Sequence, residues 1–128
     1  MKKILFILSF LGFCISAQSQ SSPQMDSVLS LPLSSFIGKP VDSLLIKLPS
    51  APTYKKIHSG GRPFHAQRLV MLYNDSTVVN IIVENFNFMD RFDQNSVWDL
   101  TLFRKESIAW ILISKWNDCV YGCDGKYY

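Results

Sequence analysis

Apolar residues recur along this chain in three rhythms, and each predicts a different element. At Val41, Leu44, Leu45 and Leu48 they fall at i, i+3, i+4 and i+7, a single stripe that predicts a short helix over 41–48. Its punctuation agrees. Pro40 suits the first helical position, where a missing N–H costs nothing. Asp42 sits where the helix dipole favours an acid, and Pro49 ends the helix because the residue before a proline avoids the α region.

The second rhythm is that of strands. Leu69-Val70-Met71-Leu72 and Val78-Val79-Asn80-Ile81-Ile82-Val83 are β-branched or apolar on both faces and flank Asn74-Asp75-Ser76. They predict a hairpin with strands over 66–73 and 77–88, in a sheet covered on one side and partly covered on the other. From Ile108 to Ser114, Ile108, Trp110 and Leu112 point one way and Ala109, Ile111 and Ile113 the other, which predicts a strand at the centre of that sheet. Tyr54 to Ile57 is a shorter strand candidate, followed by a loop from Ser59 to Pro63. Ser96 to Lys105 fits two patterns: Trp98, Leu102 and Lys105 share a helical face, while Trp98, Leu100 and Leu102 alternate as in a strand. Ser96 with Asp99 three residues on is a weak capping signal, and helix is the favoured reading. The order of elements predicts an α+β fold: a small antiparallel sheet of three to four strands with one or two short helices packed on one face. A parallel arrangement is disfavoured, since the hairpin loop is too short for a crossover.

The third rhythm is an unbroken apolar run. Ile4 to Ile15 follows Lys2-Lys3 and precedes Ser16-Ala17-Gln18-Ser19, the pattern of an export signal, and it is too short to span a bilayer. The expected organisation is a signal peptide over 1–17, with cleavage after Ala17 or Ser19, then a flexible lead-in over 18–35 rich in Ser, Gln and Pro, with room for a short ordered piece at Val28-Leu29-Ser30-Leu31, then one domain over 36–128. No later segment has 18 consecutive apolar residues, so no transmembrane helix is expected in the mature chain. Cys14 offers a rival, a lipid-anchored N-terminus, but bulky Phe13 stands where a lipobox carries a small residue.

Charge then narrows the partners. The chain has 13 Lys and Arg against 10 Asp and Glu, and loss of Lys2 and Lys3 with the signal brings the mature domain close to neutrality. Such a balance has no broad footprint for nucleic acid or for an anionic membrane.

Candidate chemistry is sparse. Cys119 and Cys123, the two cysteines outside the leader, flank Val120-Tyr121-Gly122, and in an exported chain they are expected to form a disulfide, with Gly122 easing the tight turn. A redox role is disfavoured by the Cys-x-x-x-Cys spacing near the chain end, and a metal site by the lack of further ligands nearby. His58 and His65 bracket Ser59-Gly60-Gly61-Arg62-Pro63-Phe64, and His58, Arg62 and His65 are candidate binding residues because function concentrates on loops. Trp116, among polar Lys115, Asn117 and Asp118, is the tryptophan expected to be exposed and the fourth candidate. Neither a Gly-x-Ser-x-Gly elbow nor a His-Glu-x-x-His motif is present, so no catalytic residue, metal or cofactor is assigned.

Phe36-Ile37-Gly38-Lys39-Pro40-Val41-Asp42-Ser43-Leu44-Leu45, ending at Leu48-Pro49 and followed by strands, resembles small exported bacterial α+β proteins such as the outer-membrane assembly lipoproteins and β-lactamase-inhibitor-like domains. Ser16-Ala17-Gln18, Trp98-Asp99-Leu100, Phe103-Arg104-Lys105-Glu106 and the Cys119 to Cys123 segment are similar to uncharacterised exported proteins of Bacteroidota. The resemblance implies an envelope location and non-enzymatic binding, and it carries no catalytic residue across. The expectation is an exported binding or scaffold module, periplasmic or secreted, with a protein or glycan partner. The alternatives are a lipid-tethered envelope-assembly component, if Cys14 is acylated, and a small redox or hydrolytic enzyme.

Overall fold

The structure, a computed structural model, describes residues 22–59 and 66–124. Five strands, β1 (Tyr54–Ser59), β2 (Gln67–Leu72), β3 (Thr77–Val83), β4 (Trp110–Lys115) and β5 (Asp118–Tyr121), form one antiparallel sheet in the order β1-β2-β3-β4-β5. The α+β class and the hairpin across Asn74-Asp75-Ser76 are as expected, but the sheet has five strands rather than three to four, and the described residues carry four short helices rather than one or two. β4 is internal without being central: β3 holds the middle position, and β5 covers the far side of β4. β3 also stops at Val83, short of the predicted Phe88.

Register explains the core. Ile57, Leu69, Ile81 and Ile111 form one row across four strands, and Met71, Val79, Ile113 and Tyr121 form another, all on the same face. Helical side chains close over them. α2 (Val41–Leu45) contributes Val41 and Leu44, and two single turns, α3 (Gln94–Val97) and α4 (Leu100–Phe103), contribute Val97 and Phe103. The 96–105 segment is thus helical, but broken at Trp98-Asp99. Each turn has its own aspartate cap: Asp93 accepts from the Asn95 N–H at 3.0 Å and Asp99 from that of Thr101 at 2.8 Å. The Ser96 side chain caps neither turn; its hydroxyl instead bridges the backbone of Asp90 and Asp93.

Within the stretch read as a flexible lead-in, the described residues belong to the packed domain. α1 (Pro23–Leu29) buries Met25 and Val28, and the 3-10 turn Leu33–Phe36 buries Leu33 and Phe36 in the same cluster. Ser, Gln and Pro dominate the composition there, yet Met25, Val28 and Leu33, with Phe36 just beyond, are enough to dock the segment against a waiting sheet. The first turn of α1 is satisfied from a distance. Ser22 makes no side-chain cap, and Asp75 in the β2–β3 turn accepts from the Met25 N–H at 3.3 Å and the Thr77 N–H at 3.0 Å. Burial pushes the Asp75 carboxyl up, but hydrogen bonds from Thr77, Met25 and Gln24 outweigh it and hold the group below the ordinary carboxylate value. Lys115 adds a second tie, donating to the Ser22 hydroxyl at 2.7 Å.

One buried carboxyl organises the opposite end. Glu106 is 0% exposed, and its two oxygens accept the backbone N–H groups of Asn87, Phe88 and Met89. A loop without regular structure has to satisfy its backbone donors, and here a single side chain does so for three consecutive residues.

Candidate binding surface

The helices cover one face of the sheet, and their buried side chains cluster with that face alone. The strand positions of the other face fall into three rows: His58, Arg68, Ile82 and Trp110; Lys56, Val70, Asn80 and Leu112; Tyr54, Leu72, Val78 and Ser114. Lys56, His58 and Arg68 are basic, and none of these twelve strand positions is a carboxylate. Accessibility is graded across the face: Asn80, Ile82, Leu112 and Ser114 of β3 and β4 are buried, whereas Tyr54 and Lys56 of β1 are exposed. The open part of the sheet is therefore its β1 side.

β1 is an edge strand of six residues, and among the described residues no strand pairs with its outer side. Lys55 and Lys56, being consecutive, project to opposite faces of that edge. Beside them lies a cavity of about 220 Å³ lined by Lys55, Lys56, Ile57, Leu69, Trp98 and Leu100. Its floor is apolar and its rim cationic. Trp98 is 48% exposed there, held in the break between α3 and α4.

The other edge is constructed differently. β5 has four residues, its pairing with β4 shifts register between Ile113 and Ser114, and Val120 is the extra residue. The expected disulfide is present, joining Cys119 to Cys123 with Cα atoms 5.8 Å apart. Gly122 has φ +74°, and a Cβ there would collide with the Ile111 carbonyl oxygen. The Trp110 indole N–H donates to the Gly122 carbonyl at 2.9 Å and fastens the chain back over β4.

Of the four candidate residues, the two that are described, His58 and Trp116, do not come together. His58 lies on β1, half-buried, with Nε2 2.8 Å from the Tyr54 hydroxyl and Arg68 opposite it. Trp116 lies at the other end of the sheet, in the β4–β5 turn, 66% exposed as expected. Its φ of +52° is left-handed, a conformation a bulky side chain rarely adopts, and its N–H donates to the Ser76 carbonyl at 3.0 Å. Arg62 and His65 lie outside the described residues. Lys55, Lys56 and Trp98 were missed as site residues. A lysine pair beside an edge-strand signal was legible, but its juxtaposition with a tryptophan some forty positions later was not.

Among the described residues no group of three His, Cys, Asp or Glu is placed to hold a metal ion, and no helix is long and apolar enough to cross a membrane. No family model matches the chain, and neither a curated protein nor a solved structure matches it.

Proposed function

We propose that this chain is an exported, non-enzymatic binding module of the bacterial cell envelope, working through the β1 side of its sheet and the adjacent α3–α4 turn. The observation that carries the reading is the asymmetry of the sheet: helices fill one face, and at β1 an edge strand, two exposed lysines and a half-exposed tryptophan surround an apolar recess. A concave apolar site with a few placed charges has the make-up of ligand-recognition sites, and this supports the reading. The disulfide supports export, since cysteine pairs persist in oxidising compartments. The N-terminal Lys2-Lys3 and apolar run support it as well.

The test is capture of partners by the exported chain, tagged at its C-terminus, from envelope extract at physiological salt, alongside a Trp98→Ala, Lys56→Glu variant. A discrete partner retained by the natural chain and lost by the variant supports the reading. Equal recovery with both, or nothing above background, rejects this surface.

A further inference from the structure

We propose that the outer edge of β1 accepts an extended acidic peptide segment as an added strand, with one apolar side chain of that segment seated against Trp98 and Leu100. The inference rests on the binding-module reading and gives it a partner class. An edge strand presents a row of unpaired N–H and C=O groups, and addition of an extended peptide satisfies them in the same way as a native neighbour. Six residues of β1 provide a full-length template. Alternate side chains of an added strand point to opposite faces, so such a strand meets Lys55 on one face and Lys56 on the other. No strand position of β1 is acidic, and Arg68 stands behind His58 on the next strand. The charge therefore selects an acidic segment and rejects a basic one.

The recess supplies the anchor. At about 220 Å³ it lies below the roughly 300–1,000 Å³ of drug-sized ligand sites, which suits a single side chain rather than a separate small molecule. Ile57, Leu69 and Leu100 line it with aliphatic carbon, and Trp98 adds an aromatic ring to the lining. The lysines also exclude the simplest rival occupant, a second copy of this chain: two β1 edges paired with each other bring like charges together, the device by which natural edges avoid self-association.

The probe is a terminally blocked Glu-Leu peptide of about eight residues, Glu on both faces around one central Leu, long enough to run along a strand of this length. It is titrated against the isotope-labelled exported chain and followed by backbone and indole N–H resonances. Expected is saturable movement of the 54–59 amides and of the Trp98 indole below about 1 mM peptide. Affinity should fall about tenfold in Lys55→Glu, Lys56→Glu and at high salt, as for a charge-steered contact. Trp98→Ala should weaken binding while leaving the sheet resonances in place. The same peptide N-methylated at every residue should not bind, because strand addition needs its backbone donors. Absence of saturable binding overturns the proposal, as does equal binding of a Lys-Leu peptide or of the N-methylated one. A β1-paired dimer that excludes the peptide also overturns it. Perturbation centred on Trp116 or on the 88–92 loop, away from β1, overturns the strand-addition proposal together with its site. Loss of the captured partner in Trp98→Ala, Lys56→Glu without any peptide binding overturns strand addition but leaves the binding module standing.

Discussion

At one margin of the sheet β5 is short, bulged, bridged by Cys119–Cys123 and pinned by the Trp110–Gly122 hydrogen bond. At the other, β1 runs for six residues with its outer side unpaired among the described residues and with only Ile57 of its first four residues buried. Both margins face the same hazard, since an open edge invites pairing with other chains. The chain meets it at β5 with a short, bulged strand whose end is tied back by the disulfide, and at β1 with lysines. Shortness and a bulge deny a template to any added strand, whereas charge turns away only some. The long edge guarded by lysines is the one left able to select.

The largest effect should come from Glu106, because the wall of the β1 recess follows a loop that this residue fixes. Glu106→Ala leaves the Asn87, Phe88 and Met89 N–H groups without their acceptor, and urea unfolding should show a loss of about 3–5 kcal/mol. Glu106→Gln retains one acceptor oxygen and should lose about 1–2 kcal/mol. Unchanged stability in both variants would mean that the loop holds itself, and that the recess owes nothing to this carboxyl.

At the closed edge, Gly122→Ala should cost about 2–3 kcal/mol, combining a left-handed backbone with the clash at Ile111. Replacing Cys119 and Cys123 by alanine should cost about 2 kcal/mol, the small loss expected when a short loop is released. Both changes should speed hydrogen exchange in β5 and leave β1 as it was. Equal acceleration in the two edges would erase the distinction between them.

The smallest effect serves as a control at neither edge. Asp75→Asn should cost about 1 kcal/mol, as for loss of a helix cap. Because folding lowers the Asp75 carboxyl below its ordinary value, its contribution is complete above that ordinary value and is lost as pH falls through the depressed folded one. The natural chain should therefore lose stability in that acid window more steeply than the asparagine variant, with no change at β1 or β5.

The sequence made some of this legible for identifiable reasons. The hairpin announced itself through paired β-branched runs around Asn74-Asp75-Ser76, and α2 through one stripe bounded by Pro40 and Pro49. The disulfide followed from counting cysteines. β5 was hidden because Asp118-Cys119-Val120-Tyr121 is too short and too mixed to show a period, and it is a strand through its pairing with β4. α1 was hidden by its composition, and one of its ties, to Asp75, comes from fifty positions away. The site was read from loops and an isolated tryptophan. Lys55 and Lys56 look like ordinary solvated charge until the fold makes their strand an edge and brings Trp98 beside it.

The most direct measurement places a photo-crosslinking amino acid at Lys55 or at Val120 and compares the adducts formed in cells that produce the chain. The predicted result is a discrete adduct from position 55, abolished by excess Glu-Leu peptide, and none from position 120. Adducts of equal yield from both positions, or an adduct at 55 that the acidic peptide does not displace, would contradict the claim that β1 is the selective edge.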